Sequence, residues 1–274
     1  MLSVATALRS SNPVLSRLGQ AAQAERSAGY APEWGYGTPS GYASPVSTGR
    51  SMTIDDVVTR TVLLVLLTAA SAAVSWYTLR GGPATILALV GAGLAGFVLV
   101  MVISFARVTN PLVISAYAVL EGIVLGVFSR IFEHVYPGIV VQAVVGTVAV
   151  FTGMAILYKT RVLRATPKFT RWVIGALIGI VAIGFINFIF AMFGANLGFV
   201  YYGPGQKAGL LAIVFSLVCV AVGALTFILD FDVVEQGIRN GLPEKYAWYA
   251  SFGILVGLVF VYTEILRLLG ALRQ

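Results

Sequence analysis

The sequence predicts an all-α, polytopic membrane protein built as a bundle of seven transmembrane helices. Three observations carry that prediction. Of 274 residues, 58% are hydrophobic and only 11% charged, too few to cover a water-facing shell. The mean hydropathy is +0.91. From Thr61 onward the chain holds apolar stretches at about 61–79, 84–106, 111–129, 138–158, 172–194, 208–232 and 247–269, each near the ~20 residues that a helix needs to cross ~30 Å of hydrocarbon. Alternating ten-residue strands of the barrel type do not occur, so helices must satisfy the backbone.

The elements follow in order. Residues 1–50 hold the polar, turn-forming part, including Gly29–Pro45, where Gly, Pro, Ser and Tyr block a helical period. This segment is expected to be a disordered cytosolic tail, with residues 51–274 forming the membrane domain. Arg9, Asn12, Pro13 and Arg17 interrupt the early apolar run that a signal peptide would need. Helix breaks are expected at Gly81-Gly82-Pro83, Asn110-Pro111, Tyr136-Pro137-Gly138, Gly203-Pro204-Gly205 and Asn240-Gly241-Leu242-Pro243.

Charge sets the expected orientation. If the N-terminus is cytosolic, ten Lys and Arg fall at inner helix ends and five at outer ends; the loop from Lys159 to Arg171 alone carries five basic residues and no acid. The seventh helix then leaves the C-terminus outside if it crosses fully. The net charge of +7 belongs to these helix ends, so nucleic acid is not an expected partner. One Cys (Cys219) and one His (His134) exclude an internal disulfide and a zinc site of the Cys/His type. No cofactor is expected.

Acids inside the spans are costly, roughly 2.5–3.5 kcal/mol each at a helix centre, and call for a partner or a job. Glu121 lies ten residues past Pro111, about 15 Å deep. Asp230 continues a small and polar stripe of Ser216, Cys219, Gly223 and Thr226, whereas Asp232 falls about 200° away and is expected at the cytosolic interface with Glu235 and Arg239. Glu235 and Arg239 have the favourable i, i+4 order for an ion pair. Glu264 lies below Ala250, Gly253 and Gly257, the last two spaced for close approach of another backbone, and Arg267 at i+3 offers it an ion pair. Gly122/Gly126 and Gly175/Gly179 have the same spacing and read as packing. The seventh helix has no Lys, which excludes a retinal Schiff base.

Four segments, NPLVISAYAVLEGIVLGVFSRIFE, FILDFD, NGLPEKYAWYASFG and VYTEILRLL, resemble the Bax inhibitor-1/YccA family, and in particular a bacterial branch of it, over roughly Asp55 to Leu272. The resemblance implies six helices around a central seventh, in a bacterial cytoplasmic membrane, and a pH-sensitive calcium leak gated by two aspartates. The first would match Asp230 or Asp232 and the second Glu264, with Asp230 and Glu264 as a transient calcium site and an arginine matching Arg107 holding the closed state. Aligned without gaps from PEKY, the second aspartate would fall on Gly257.

Depth favours another pairing. Asp230 lies roughly 13 Å from the cytosolic edge, Glu264 roughly 24 Å and Glu121 roughly 15 Å, so the working pair is expected to be Glu121 with Asp230, with Glu264 further along the same path. Two carboxylates in one dry site cannot both ionise cheaply, which makes such a pair a proton-sensitive latch. Calcium takes six to eight oxygen ligands, more than this chain buries, so weak transit fits better than storage. An intramembrane aspartyl protease normally carries a Gly-x-Gly-Asp segment, and no Gly-Asp dipeptide occurs, so no enzyme is expected. The rival readings are a proton-coupled transporter, for which no repeat is evident, and a non-transporting regulator that binds membrane-protein partners. Lipid, calcium and protons are the expected partners of the leak.

Overall fold

The computed structural model describes residues 50–193 and 207–274, together with residues 197, 198, 200 and 204. Among the described residues seven helices follow one another: α1 Ile54–Thr78, α2 Pro83–Ala106, α3 Pro111–Val135, α4 Ile139–Lys159, α5 Pro167–Met192, α6 Leu210–Arg239 and α7 Tyr246–Leu272. All seven contain a span long and apolar enough to cross a membrane, and no strand occurs among the described residues. The expected tail at 1–50 lies outside the described residues but for Arg50, and the break at Gly203-Pro204-Gly205 does so but for Pro204.

The helix starts obey local chemistry. Thr53 caps α1 in a capping box with Asp56, each side chain bonding the other's backbone N–H. Pro83 and Pro111 occupy the first turns of α2 and α3, where the missing N–H costs nothing, and the Asn110 side chain accepts from Leu112 N at 2.9 Å. Glu133 closes the turn into α4 by accepting from Gly138 N and Val140 N, two of that helix's orphan donors. Gly138 itself takes φ +81°, a left-handed conformation that glycine adopts without penalty.

Helix α7 is the axis of the bundle. It packs directly on α1, α3, α4 and α6. The remaining two reach it through side chains: Ile103 of α2 clusters with Phe252, and Leu177 and Ile180 of α5 cluster with Phe260. The expected arrangement of six helices around a seventh is therefore what the chain builds. The tightest seam is α1 on α3, where a Cβ on Gly122 would come within 1.8 Å of Ser71 Oγ and 2.4 Å of Thr68 O, and one on Gly126 within 2.2 Å of Ala72 O. A Cβ built on Gly175 or Gly179 would meet nothing within 4 Å, so that pair seats no neighbour among the described residues.

One end of the bundle is tied by a strap. Met52 N donates to Leu242 O at 2.8 Å and Glu244 N to Arg50 O at 3.0 Å, joining the chain before α1 to the α6–α7 turn. Arg60 fastens the strap, with an ion pair to Glu244, a bond to its carbonyl at 2.5 Å, and its guanidinium over the Trp248 ring. The C-terminus meets the opposite end, where Arg273 donates to Pro137 O at 3.1 Å and to Gln142 Oε1 at 2.7 Å. Thus α7, with its 27 residues rising about 40 Å, runs the full depth of the bundle.

Candidate functional site

The polar stripe on α6 faces inward as the sequence predicts. Ser216 and Cys219 are buried, Gly223 is covered by Phe260 and Val261 of α7, and Thr226 and Asp230 line a cavity. That cavity has a volume of about 590 Å³ and lies among α2, α5, α6 and α7. Val100 and Ser104 of α2 and Leu177 and Val181 of α5 form its sides, and at the strap end it reaches Met52, Leu242 and Tyr246. The Asp230 carboxylate stands over α7, with Oδ1 3.9 Å from where a Cβ on Gly253 would be and Oδ2 3.5 Å from that on Gly257. Gly253 and Gly257, expected to admit a backbone, instead make room for this carboxylate and the Phe227 ring. Ser104, Thr226, Tyr246 and Tyr249 also line the cavity, the Thr226 hydroxyl donating to Gly223 O, and among the described residues Asp230 makes no hydrogen bond or ion pair.

Glu264 lies elsewhere. Helices α6 and α7 run antiparallel, so each step back along α6 is matched by a step forward along α7: Asp230 meets Gly257, Gly223 meets Phe260 and Val261, and Ser216 and Cys219 flank Glu264. From Gly257 to Glu264 is seven residues, about 10 Å along the helix. Glu264 is 6% exposed and pairs with Arg267 Nη1 at 2.8 Å, while the Arg267 guanidinium lies over Phe128. The structure therefore does not bring Asp230 and Glu264 to one calcium ion: the register of the seam holds them apart, and an arginine already neutralises Glu264. Among the described residues no group of three or more His, Cys, Asp or Glu is placed to hold a metal.

Glu121 sits against α2, its Oε2 3.6 Å from a Cβ position on Gly96. Tyr117, one turn earlier on the same face, is its hydroxyl neighbour. The Tyr117 ring in turn packs edge-on against Phe252, centroids 5.1 Å apart, and Phe252 lines the Asp230 cavity. On α2, Val100 is one turn beyond Gly96 and lines the same cavity. Glu121 and Asp230 are thus not partners in one pair; Tyr117 and Phe252 connect them. The i, i+4 relation of Tyr117 to Glu121 was the signal in the sequence that marks this tyrosine.

The remaining residues hold the strap end. Asp232 accepts from Gln236 Nε2 at 2.5 Å, and Glu235 collects Arg239, Arg161 and the Tyr158 hydroxyl, so the expected i, i+4 pair forms within a larger cluster. Arg107 ends α2 in a left-handed conformation, φ 49°, three residues past Ser104. Its side chain is exposed and makes no ion pair among the described residues, so the structure brings it to none of the carboxylates.

Seven apolar helices with acids set into their interior faces define a multi-pass membrane protein in contact with lipid. The family described as Bax inhibitor 1 like matches residues 12–274, and the chain belongs to it. No curated protein matches the chain.

Proposed function

We propose that the chain is a passive, pH-sensitive cation leak, with calcium as a transported ion, and not an enzyme. The observation that carries this reading is the Asp230 carboxylate, set without hydrogen bond or ion pair among the described residues in a cavity of about 590 Å³ that reaches the strap end of the bundle. Ionised, Asp230 is a fixed negative charge in a low-dielectric site and attracts a cation. The hydroxyl oxygens of Ser104, Thr226, Tyr246 and Tyr249 add a few further ligands, fewer than calcium prefers, which favours transit over tight binding. Protonation removes the charge and with it the attraction. The other polar residues that line the cavity are Ser104, Thr226, Tyr246 and Tyr249, none of them charged, and Arg107 stands one turn beyond Ser104. Glu121, reached through Tyr117 and Phe252, is the next carboxylate along the path.

The basic strap end, with Arg50, Arg60, Lys159, Arg161 and Arg239, reads as the cytosolic side of a bacterial cytoplasmic membrane, so the end of the cavity lined by Met52, Leu242 and Tyr246 is its cytosolic end. The test is calcium flux into liposomes that hold the purified full chain, at several pH values. Flux down the gradient that rises with pH, and an Asp230→Asn protein locked at the low-pH rate, is the expected result. Flux that needs an opposing proton gradient would make the protein a coupled transporter. No flux at any pH would leave the reading of a regulator of other membrane proteins.

A further inference from the structure

A second cavity, of about 570 Å³, opens sideways between α1 and α4, which do not pack on each other along their length. Its floor is α3 and α7, and it runs from Thr61 to Trp76, 15 residues or about 22 Å of α1. The rims carry exposed Val62, Leu66, Val144 and Val148, residues that face hydrocarbon in a membrane chain. Among the described residues no charged side chain lines it.

The polar atoms in its wall decide what it fits. Thr68 donates to Leu64 O, Thr147 donates to Ala143 O, and Ser129 bonds the Tyr262 hydroxyl at 2.6 Å, so these hydroxyls are consumed within the protein. Thr61 Oγ1 differs: it is buried and has no hydrogen-bond partner among the described residues. A helical threonine usually turns its hydroxyl to the carbonyl four residues back. Here that carbonyl, Val57 O, accepts from Ser251 of α7 at 3.0 Å. Thr61 also follows Arg60 directly, at the level where Arg60, Glu244 and Trp248 mark the polar boundary of the bundle.

One unsatisfied hydroxyl at the membrane edge and a long apolar trough leading inward match an amphipathic chain with a single polar acceptor at its head. We infer that this groove seats one acyl chain of a bilayer phospholipid, whose ester carbonyl accepts the Thr61 hydroxyl. The chain lies along Val65, Ala69 and Ala72 and ends near Trp76. It fills a trough that would otherwise leave α1 and α4 without neighbours on that side.

The test uses the full chain in phosphatidylglycerol vesicles containing a phosphatidylglycerol with a photoactivatable diazirine on one ester-linked acyl chain, with adducts mapped by mass spectrometry. The wild-type protein should label in the groove wall well above Phe105 and Trp172, which are 83% and 81% exposed and report ordinary surrounding lipid. Ala69→Trp, or Val148→Trp from the opposite rim, should fill the groove and remove its adducts while leaving those at Phe105. Thr61→Val should lower groove labelling by the ester lipid about two- to ten-fold, the range for one hydrogen bond, and leave labelling by a diether analogue unchanged. Groove labelling no higher than at Phe105 and Trp172, or labelling that survives both tryptophans, would overturn the lipid seat. Thr61→Val acting equally on ester and ether lipids would overturn the carbonyl contact.

Discussion

The Asp230 carboxylate lies 3.5 Å from the point where a Cβ on Gly257 would stand, and 3.9 Å from that on Gly253, so two glycines of α7 shape the floor beneath the one acid of α6 that faces the cavity. They are not equivalent. At Gly257 the new methyl would also come 2.9 Å from the edge of Phe227, which is fully buried and held edge-on against Phe151, whereas at Gly253 nothing is nearer than the carboxylate. Gly257→Ala is expected to lower stability by about 1–3 kcal/mol through overpacking, more than the ~1 kcal/mol that alanine gains in a helix. Gly253→Ala should be neutral or slightly stabilising. Thermal unfolding of both in detergent checks this, and a Gly257→Ala protein at least as stable as Gly253→Ala would refute the packing described.

The seam of α1 on α3 predicts a larger effect. A methyl on Gly122 or Gly126 meets backbone carbonyls of α1 at 2.4 and 2.2 Å, and no side-chain rotation relieves that contact. Either alanine should cost about 3 kcal/mol or more, at the upper end of overpacking. Gly179→Ala, with open space around it, should gain up to about 1 kcal/mol from helix propensity. A comparison of melting temperatures decides the matter: equal shifts in all three would mean that the two glycine pairs play the same role.

How far these features can be read from the sequence depends on whether they are local. Helix number, the prolines at Pro83 and Pro111 and the inward turn of the Ser216–Asp230 stripe follow from hydropathy, capping and a 3.6-residue period, all properties of one segment. The Glu235–Arg239 and Glu264–Arg267 pairs follow too, because i, i+4 and i, i+3 neighbours need no tertiary information. What faces what across a seam does not. Depth counted along single helices put Glu121 level with Asp230, but depth carries no azimuth, and Glu121 turns to Gly96 while Asp230 turns to Gly257. The strap was equally hidden, since a hydrogen bond between Met52 and Leu242 leaves no periodic trace.

The strap gives a prediction of its own. Arg60 is its only side-chain fastening among the bonds described, through the Glu244 carboxylate and carbonyl. Arg60→Met keeps most of the apolar stem and removes charge-assisted bonds worth about 1.5–3 kcal/mol. The Met52 and Glu244 amides, which bond across the strap, should then exchange with solvent about ten- to a hundred-fold faster, while core amides of α7 such as Leu255 keep their rate. Unchanged exchange at both strap amides would show that the backbone bonds hold without the arginine.

Glu264 and Arg267 should behave as a structural unit and not as part of the leak's pH response. Removing one charge of a buried pair strands the other; with Arg267 still about one-quarter exposed, the cost of Glu264→Gln should fall at about 2–4 kcal/mol, somewhat below that of a fully buried pair. The stranded guanidinium has little to turn to, since its Nε already lacks a hydrogen-bond partner and its face is spent on Phe128. Replacing both, as Glu264→Gln with Arg267→Met, takes away the stranded charge and nearly preserves shape, so most of the lost stability should return. Flux in that double variant should keep the pH dependence of the wild-type protein, because the carboxylate in the cavity is Asp230, about 10 Å away along α7. Melting curves for the two single variants and the double, with flux measured on the double, test both statements: a double variant no more stable than Glu264→Gln would deny the pairing, and loss of pH dependence in it would return Glu264 to the gate.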